Sequence, residues 1–570
     1  MREHSKHTPL LLALVLCAGA CFRFYGLRVG FPFETHVDEW FIIDTVREMY
    51  LTGTFRPRAF DYPSLVFYVL LACAHVVGLF REPTLYDLYV AGRAVSALAG
   101  TAAVFVVYLT GRRAYNERAG LLAAAFYAFT VTALREAHYY TTDSLNVLCI
   151  AAAVYFIVRV GVGDAPSNYL QAGAAIGLAA GSKYNGAFLS VPFLFAHFAR
   201  TYADAGSWAA LRSTLKERPA ALFPRRLAAA GLVALAAFVL TTPYALVEPS
   251  AFVKDLRKMG AALSGKITEG NHHYLGTTAY WYYVENLLFW AMGPVLEAAC
   301  LAGLIYALAR RRRQDIIIAL WVAVYFAVVG GWLNKAVRYT LPMLPFLCLF
   351  GATLFAESHE YFKARGRRLC ASVVAALAAL TLASALLYAL AYTNVYRQTH
   401  TQTQAVGWLY SNAPAGSTVL LEGPTPHERP QPDGARMIYD DPALGVEPGR
   451  FRFKFLNVPE VSRRDADPAR QRADLEAALA GVDYVVMSMR WQEGLAASVE
   501  ASPVIREHYA SLTSGAGRFE LVREFIVRPR LFGVEINDDR AEHNFRVFDH
   551  PRVWIFKRRG LPVAGVSQRK

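Results

Sequence analysis

The amino-acid sequence predicts an α-helical polytopic membrane protein of about eleven spans that carries an external α/β domain at its C-terminus. Two observations predict this class. Of the 570 residues, 55% are hydrophobic and only 18% are charged, whereas a soluble domain carries about 25% charged residues. The apolar residues lie in long blocks that end near Tyr392, and shorter strand-like stretches follow. We therefore expect a membrane domain over residues 1–392 and an external domain over residues 393–570.

The charge and the cysteines narrow the class further. The net charge of +14 fits basic cytoplasmic loops, which are usual in membrane proteins, so we expect no nucleic-acid partner. The seven cysteines lie in or beside apolar blocks, and the tail after Tyr392 has none. The tail should therefore hold neither disulfides nor a thiolate zinc site. The sequence contains no Asn-x-Ser/Thr sequon, which disfavours a eukaryotic lumenal protein, and we expect a bacterial inner membrane.

The first apolar run allows two interpretations. Arg2 and Lys6 precede "LLLALVLCAGAC", which is typical of a signal peptide or of a lipoprotein signal that ends at Cys21. The run continues through Phe22 and Phe24, and further apolar blocks follow. We therefore favour an uncleaved first span.

The remaining spans follow from the lengths of the apolar blocks, since a helical crossing needs about 20 residues. The candidate spans are Pro9–Leu27, Pro63–Phe80, Leu88–Thr110, Gly120–Leu134, Ser144–Val160, Tyr169–Gly181, Ala187–Phe198, Leu227–Leu246, Asn286–Ala309, Asp315–Leu333, Tyr339–Ala356 and Leu369–Tyr392.

Four basic clusters between these blocks set the orientation, because basic loops stay cytoplasmic. In chain order they are residues 111–118, 215–226, 310–313 and 363–368. If the N-terminus is cytoplasmic, all four clusters are cytoplasmic only if the block Pro63–Phe80 does not cross the membrane. We therefore expect that block to be a re-entrant or surface-lying helix in a first external loop of about residues 28–87. The C-terminus is then external.

This topology places several polar motifs on the external face, whereas the internal loops are mainly basic. The external motifs are "HVDEW" (His36–Trp40), "DYPS" (Asp61–Ser64), Arg93, "HYYTTDS" (His138–Ser144), Lys183, "NHHY" (Asn271–Tyr274) and "NKAVRY" (Asn334–Tyr339). An external site is implied.

The acidic pair Asp38 and Glu39 has two interpretations. Carboxylates are favoured at helix N-termini, so the pair could belong to a solvated loop that begins a helix. Alternatively, one carboxylate could act as a general base, which an uncharged hydroxyl acceptor needs. The expected position of Asp143 on the same face strengthens the second interpretation.

Three cations, Arg93, Lys183 and Arg338, lie at the outer ends of spans. Lys and Arg often extend from span ends to the interface. At this face they would also suit an anionic group, because a phosphate bound by Lys and Arg is a better leaving group.

The adjacent His272 and His273 do not favour a two-histidine metal site, since neighbouring side chains do not share a helical face. They indicate either a surface loop or an acceptor or phosphate contact.

The tail predicts a small α/β domain. Four short stretches rich in β-branched residues read as strands, and "DLEAALAG" reads as a helix between them. The predicted strands are Ser417–Gly423, Asp483–Met489, Phe519–Val527 and Arg552–Arg558.

Taken together, these motifs resemble the GT-C glycosyltransferases, in particular the bacterial relatives of dolichyl-phosphate-mannose protein mannosyltransferases and of the lipid A aminoarabinose transferase. The resemblance covers nearly the whole chain and rests on the order of the motifs. These are, in order, "HVDEW", "DYPSL", "AGRAVSALAG", "HYYTTDS", "GSKYNG", "TTPYALVEPSAF", "RYTLPMLP", "DYVVMSM" and "FDHPRVWIFKR". The chain departs from the family at "DYPSL", where relatives often carry two prolines and a neighbouring acid or lysine.

The resemblance implies the chemistry. Asp38 would deprotonate the acceptor hydroxyl and Glu39 would orient the acceptor or the base. The donor would be a polyprenyl-phosphate sugar, and the configuration at its anomeric carbon would be inverted in a single displacement. The donor phosphate would contact Arg93, Lys183, Arg338 and Tyr339. Further donor or acceptor contacts would come from His36, Asp61, Tyr62, His138, Tyr140, Asp143, His272 and His273. No cofactor is expected, and a divalent metal is possible but not indicated.

The partners follow from the same resemblance. They would be the lipid-linked donor, membrane lipid, and an acceptor that could be a protein, a lipid or a glycan. The alternative function is a transporter or flippase of lipid-linked sugars. A transporter would need charged residues deep within spans or paired broken helices, whereas here the polar residues gather at one face.

Overall fold

The structure is a computed structural model that divides into two compact units. It describes residues 7–31, 36–163, 165–205, 207, 212–213, 216, 224–265, 274–422, 446–456, 467–488 and 502–560. The first unit comprises Met1–Leu27, Phe41–Gly260 and Ala279–Leu390, and the second comprises Arg28–Trp40, Ala261–Thr278 and Ala391–Lys570.

Helices make up nearly all of the described chain before residue 394. They are α1 (Thr8–Phe24), α2 (Val37–Thr52), α3 (Leu65–Gly78), α4 (Leu85–Ala114), α5 (Glu117–Ala128), α6 (Val131–Glu136), α7 (Asp143–Val162), α8 (Ser167–Ser182), α9 (Ser190–Ala205), α10 (Arg225–Thr241), α11 (Tyr244–Val247), α12 (Pro249–Leu263), α13 (Phe289–Met292), α14 (Pro294–Arg310), α15 (Arg313–Val329), α16 (Leu344–Ala364) and α17 (Arg368–Thr393).

By length and composition, three stretches of the described chain could cross a membrane: Leu85–Ala114, Asp143–Val162 and Arg368–Asn412. A bent pair of helices, Tyr283–Met292 with Pro294–Arg310, raises the number to four. Most of the other predicted crossings correspond to shorter helices, such as α1 with 17 residues and α8 with 16, whereas α16 has 21 residues but is not among these stretches. A total of about eleven crossings therefore stays a prediction.

The block Asn286–Ala309, expected to be one continuous span, is broken at Gly293. The parts Tyr283–Met292 and Pro294–Arg310 meet at 118°. Gly293 has a φ of 79°, which glycine adopts without steric cost, and the proline after it cannot continue the preceding helix. The expectation of one helix is therefore wrong here. The block Gly120–Leu134 is likewise divided, into α5 and α6.

Two helices, α2 and α12, lie outside the predicted spans. α2 begins one residue before Asp38, so the "HVDEW" motif starts a helix. On α12, the rings of Phe252 and Phe60 meet with 6.0 Å between their centroids. The Asp255 carboxylate on the same helix accepts the Phe60 amide at 3.0 Å. The loop that precedes Asp61 is therefore held against α12.

The first and third basic clusters, both expected at the cytoplasmic face, lie together at one end of the first unit. Arg310 donates to both carboxylate oxygens of Asp315, at 2.9 and 2.5 Å, and the Tyr115 hydroxyl donates to the same carboxylate at 2.8 Å. Arg313 donates to the carbonyl oxygen of Gly161 at 2.7 Å, near the end of α7. The first and third clusters therefore lie beside the C-terminal end of α7.

The second cluster and the helix that leads to the fourth reach the same end. The Arg226 guanidinium, in the second cluster, lies 4.9 Å from the centroid of the Tyr169 ring. Tyr169 is in the first turn of α8, which follows α7 after a short connection. Glu360, near the end of α16, forms an ion pair with Arg118 of the first cluster. The described end of the second cluster and the helix that leads to the fourth therefore lie at the same end of the helices as the first and third clusters.

The other end of α7 carries an acid–base pair. Asp143 is the first residue of α7, and its carboxylate lies 2.7 Å from Lys183 Nζ. α7 has 20 residues, which corresponds to about 30 Å of helix, close to the thickness of the bilayer hydrocarbon core. The pair and the basic clusters are therefore at opposite ends of α7, in keeping with the topology that the sequence predicts.

Close backbone packing holds α8 against α10. A Cβ atom at Gly173 would lie 2.2 Å from the carbonyl oxygen of Ala230, and one at Gly177 would lie 2.3 Å from that of Ala234. Small residues four apart permit such close approach between membrane helices. This packing fixes the helix that Lys183 directly follows.

The second unit is built on a five-stranded sheet with the order β2-β1-β3-β7-β4. Strands β1, β2 and β3 are parallel, and β7 is antiparallel to β3 and β4. Its elements are β1 (Thr418–Glu422), β2 (Arg452–Leu456), β3 (Tyr484–Met487), β4 (Phe519–Phe525), β5 (Arg530–Leu531), β6 (Val534–Glu535) and β7 (Val553–Arg558), with helices α18 (Thr401–Asn412), α19 (Pro468–Leu479), α20 (Pro503–Ser514) and α21 (His543–Arg546).

The predicted α/β character of the tail is confirmed. The four predicted strands are β1, β3, β4 and β7, and the predicted helix is the end of α19. Helices cover both faces of the sheet: Val485 and Met487 pack with residues of α19 and α20, whereas Tyr484 and Val486 pack with residues of α18. Burial on both faces explains why these strands read as continuous apolar runs.

Candidate functional site

Four of the predicted site residues meet in the first unit. Lys183 Nζ lies 2.7 Å from Asp143 Oδ1 and 5.4 Å from the centroid of the Tyr339 ring. The guanidinium carbon of Arg338 lies 5.7 Å from the centroid of the same ring. We call these four residues the α7–α8 cluster.

Helix ends place the acid–base pair. Lys183 ends α8 in an extended conformation, with φ −159° and ψ 135°, and Asp143 begins α7. The Asn146 side chain of α7 donates to the Ala179 carbonyl at 3.1 Å and to the Ser182 hydroxyl at 3.0 Å. These bonds fasten the start of α7 to the end of α8 and so bring the two charged residues together.

Two aromatic residues that the sequence did not single out hold Tyr339. Tyr339 lies in the short 3-10 turn Val337–Thr340. The Tyr325 hydroxyl donates to its carbonyl oxygen at 3.0 Å, and the Trp332 ring meets the Tyr339 ring edge to face at 5.7 Å. In the sequence, these residues had no signal beyond being aromatic within or beside an apolar block.

The charges of the α7–α8 cluster suit a further anion. The Asp143 side chain is 4% exposed and that of Lys183 is 21% exposed. A carboxylate this buried needs a paired charge, so Asp143 holds Lys183 in place. An ammonium group has three donors, and together with the Arg338 guanidinium it can form charge-assisted hydrogen bonds to a phosphate.

The "DYPS" loop lies near this cluster. The Tyr184 hydroxyl, one residue after the cluster's lysine, donates to the Phe60 carbonyl at 2.8 Å. Burial raises the pKa of Asp61, and Lys258 of α12 partly offsets the rise. The Tyr62 ring lies 6.1 Å from that of a phenylalanine of α2. Sequence reasoning missed Lys258, whose only signal was the amphipathic spacing of "PSAFVKDLRKM".

In the second unit, the acidic pair begins α2. The amide of Asp38 donates to His36 Nδ1 at 3.2 Å, and the His36 ring lies 4.0 Å from that of Phe548. Asp38 is half-buried, whereas Glu39 is completely buried. The His36 side chain thus accepts a first-turn amide in the manner of an N-cap, and Asp38 is the more accessible carboxylate.

Arg93 has a packing role in the structure. It is completely buried, and its guanidinium donates to the Leu27 carbonyl at 2.8 Å. The guanidinium carbon also lies 5.6 and 5.4 Å from the ring centroids of Tyr89 and Tyr139. These contacts tie α4 to the residues after α1, and a phosphate contact by Arg93 stays a prediction that they do not favour.

His138 and Tyr140 are also bonded to the backbone. The ring nitrogens of His138 lie 2.8 and 2.7 Å from the carbonyl oxygens of Leu134 and Tyr25. The Tyr140 hydroxyl donates to the Val66 carbonyl at 2.7 Å. Both side chains are completely buried. Their expected contact with donor or acceptor stays a prediction, and their bonds favour a role in packing.

His272 and His273 lie outside the described residues, so their expected contact is also still a prediction. Among the residues that the structure describes, no three His, Cys, Asp or Glu side chains are grouped as a metal site requires.

Comparisons with known proteins bear on the fold and on one stretch of the sequence. Residues 85–215 match the family model described as dolichyl-phosphate-mannose-protein mannosyltransferase. This range includes Arg93, Asp143 and Lys183. No curated protein sequence matches the chain.

Two solved structures share the fold. ArnT from Cupriavidus metallidurans, bound to undecaprenyl phosphate, is 14% identical, with 97% of this chain and 98% of that chain covered and a TM-score of 0.50. The Archaeoglobus fulgidus oligosaccharyltransferase, tethered with an acceptor peptide, is 13% identical, with 88% of this chain and 72% of that chain covered and a TM-score of 0.51. This shared architecture shows that the chain has the fold of these two membrane enzymes, and the family match covers residues 85–215 of it.

Proposed function

We propose that the protein is an inverting glycosyltransferase that moves a sugar from a polyprenyl-phosphate donor to a hydroxyl group of an external acceptor. The observation that carries this proposal is the α7–α8 cluster. In it, the buried Asp143 carboxylate holds Lys183 beside Tyr339 and Arg338. A lysine and an arginine set in this way suit a lipid-linked phosphate.

The proposed reaction is a single displacement. Asp38 takes the proton of the acceptor hydroxyl, and the acceptor oxygen attacks the anomeric carbon. The bond from that carbon to the phosphate oxygen breaks, and its electron pair leaves with the phosphate. Lys183 and Arg338 stabilise the charge that develops there, Tyr339 adds a phosphate contact, and Glu39 orients the base or the acceptor. The anomeric centre inverts, with no covalent sugar–enzyme intermediate and no cofactor.

The accessibility of the two carboxylates supports these roles. Asp38 is half-buried, whereas Glu39 is completely buried. A general base must reach its substrate within hydrogen-bond distance, which the more accessible Asp38 can do more readily. A buried carboxylate is better suited to holding a neighbouring group in place.

The partners in this proposal are a lipid-linked donor, membrane lipid and an acceptor protein, lipid or glycan, without nucleic acid. The structure of ArnT is described as bound to undecaprenyl phosphate, which supports a polyprenyl-phosphate donor. The oligosaccharyltransferase is described with an acceptor peptide, which keeps a protein acceptor among the candidates. We propose a bacterial inner membrane with the reaction on the periplasmic side.

The alternative, a transporter or flippase of lipid-linked sugars, has less support. A transporter would need charged residues midway along its spans or paired broken helices. The described part of the chain has one bent helix pair, and the α7–α8 cluster lies at the end of α7. Neither feature favours transport over transfer.

The decisive experiment replaces the proposed base. Full-length protein in vesicles would be given a panel of undecaprenyl-phosphate pentoses and hexoses with membrane extract as acceptor. Sugar transfer and release of undecaprenyl phosphate would both be measured. Asp38→Asn should lower transfer by about 100- to 10,000-fold while still binding undecaprenyl phosphate. Asn keeps the shape of Asp but cannot take up a proton. Glu39→Gln should lose less activity, because Glu39 only orients.

Other outcomes would change the proposal. Near-normal transfer by Asp38→Asn would exclude Asp38 as the base. Equal and complete loss in both variants would mean that the pair acts as a unit, and inhibition by a chelator would then point to a metal. Movement of the lipid-linked sugars across the vesicle membrane, without transfer from any donor of the panel, would support a transporter instead.

A further inference from the structure

The segment 538–551, "DDRAEHNFRVFDHP", lies in the interior of the second unit despite its charge. Five of its ionisable side chains are at most 2% exposed: Asp538, Glu542, Arg546, Asp549 and His550. Burial of charged groups is costly unless they are paired and hydrogen-bonded. The segment therefore needs internal partners to keep its place.

These partners are present. The Asp538 carboxylate lies between His550 and Arg546. Its Oδ2 is 2.7 Å from His550 Nε2, and its Oδ1 is 3.7 Å from Arg546 Nε. The Tyr396 hydroxyl donates to the Asp549 carboxylate at 2.7 Å. These ion pairs and this hydrogen bond hold the segment in place, so it is suited to hold other parts of the unit.

It contacts two segments that are distant in sequence. The Phe548 ring lies 4.0 Å from the His36 ring. Asn544 donates to the Tyr274 hydroxyl at 2.8 Å, and that hydroxyl in turn donates to the Glu542 carboxylate. One buried segment thus holds His36, two positions before the acidic pair, and Tyr274, which follows the two adjacent histidines in the sequence.

The contact with His36 reaches the first turn of α2. His36 Nδ1 accepts the Asp38 amide at 3.2 Å, and the His36 carbonyl accepts the Trp40 amide at 3.0 Å. The orientation of the His36 ring therefore helps to decide where the helix starts and how its first turn lies. Phe548 packs against that ring and restricts its orientation.

We infer that the segment 538–551 is a positioning element for the proposed base, with Phe548 acting on Asp38 through His36. This inference rests on the proposed function, in which Asp38 takes the acceptor proton. Phe548 is not expected to touch the substrate. A displacement of the base by about 1 Å is enough to cost a hundredfold in rate, so loss of the ring contact should lower turnover.

The test uses the full-length chain in vesicles and an undecaprenyl-phosphate sugar that it accepts. Phe548→Ala should lower kcat by about ten- to a hundredfold with the KM for the donor unchanged. Phe548→Leu keeps apolar bulk but loses the ring contact, so its kcat should be intermediate. This variant replaces Phe548→Ala in the test if the alanine variant folds poorly. Phe556→Ala is the matched control: this phenylalanine is also buried in the second unit, in the sheet core, and kcat per folded molecule should stay normal.

The histidine itself offers a rescue. His36→Ala removes the side-chain acceptor for the Asp38 amide and should lower kcat as Phe548→Ala does. Asn is among the best N-cap residues, so His36→Asn should recover a large part of kcat. A purely structural role for His36 predicts no difference between the two variants at equal folded amounts.

Hydrogen exchange gives a readout that does not depend on activity. Peptides covering residues 36–40 should exchange faster in Phe548→Ala and His36→Ala, and at the normal rate in Phe556→Ala. If Phe548→Ala and Phe556→Ala give the same exchange and the same kcat, the inference is overturned. If Asp38→Asn keeps full transfer, the proposed base fails, while exchange in residues 36–40 still decides whether Phe548 positions this turn.

Discussion

At the scale of single residues, the Asp143–Lys183 pair combines a structural and a proposed functional role. The Asp143 side chain is 4% exposed, and breaking such a pair leaves a charge without compensation. Lys183 also faces the Tyr339 ring that Arg338 approaches. Loss of Lys183 would therefore affect stability and phosphate binding together, and one substitution cannot separate them.

A pair of substitutions can separate the effect on stability from the effect on phosphate binding. Lys183→Met should weaken binding of undecaprenyl phosphate at least about tenfold, since charge-assisted hydrogen bonds contribute about 1.5–3 kcal/mol. It should also destabilise the protein by about 3 kcal/mol, because Asp143 loses its partner. Adding Asp143→Asn should restore stability but not binding. Thermal unfolding and a binding titration on the purified full-length protein would measure both quantities.

Two further variants complete this experiment. Lys183→Arg keeps the charge and should retain most of the binding. Lys335, whose ammonium group donates to the Leu333 carbonyl at 3.2 Å, is the matched control, and Lys335→Met should leave binding unchanged. Equal weakening by Lys183→Met and Lys335→Met would show that binding depends on net charge and not on the cluster.

Several site residues could be predicted from the sequence because they lie beside apolar blocks. The end of a block and the parity of crossings are visible in the sequence, and they placed Asp143, Lys183 and Arg338 at one face. The bonds of Arg93 and His138 could not be predicted in this way. Their partners are backbone carbonyl oxygens, which every residue carries and no motif marks.

At the scale of elements, the packing of α8 on α10 decides where Lys183 lies. The two backbones approach so closely that a Cβ atom at Gly177 would lie 2.3 Å from the Ala234 carbonyl oxygen. By contrast, a Cβ atom at Gly231, on the outer side of α10, would meet nothing within 4 Å. The same change, glycine to alanine, is therefore expected to have opposite effects on the two helices.

Gly177→Ala should destabilise the protein by about 1–3 kcal/mol, the usual cost of overpacking. Gly231→Ala should be neutral or stabilise it by up to about 1 kcal/mol, since alanine is the better helix former. Thermal unfolding of both variants in the same detergent would compare them. Equal unfolding temperatures would show that the two helices do not pack through these glycines.

The elements were predictable where one periodic pattern was dominant. The strands β1, β3, β4 and β7 carry β-branched residues between turn residues, and most apolar blocks became helices. The edge strand β2, "RFKFL", has two basic and three apolar residues, and α12 mixes basic and apolar residues in a block too polar for a span. The break at Gly293 depends on one backbone conformation within an apolar run. In each case a local or tertiary effect was stronger than the average composition.

At the scale of the whole molecule, charge distribution was the most informative property of the sequence. It predicts that the four basic clusters share one side, because basic loops stay cytoplasmic. It could not predict the buried charges of the segment 538–551. These side chains have the composition of a solvated loop, and only the tertiary contacts of Asp538 and His550 show that they are interior.

The same charge distribution makes a prediction about orientation. Reporter fusions at Asn116 and Arg312 should give cytoplasmic signals, and a fusion after Tyr392 should give an external signal. The physical reason is that basic loops are retained on the cytoplasmic side, and both fusion sites lie in basic clusters beside the C-terminal end of α7. Since α7 is about 30 Å long, a cytoplasmic signal at Asn116 places the Asp143–Lys183 pair toward the external face. An external signal at Asn116 would contradict the span assignment and turn that pair toward the cytoplasm, where the proposed acceptor is absent.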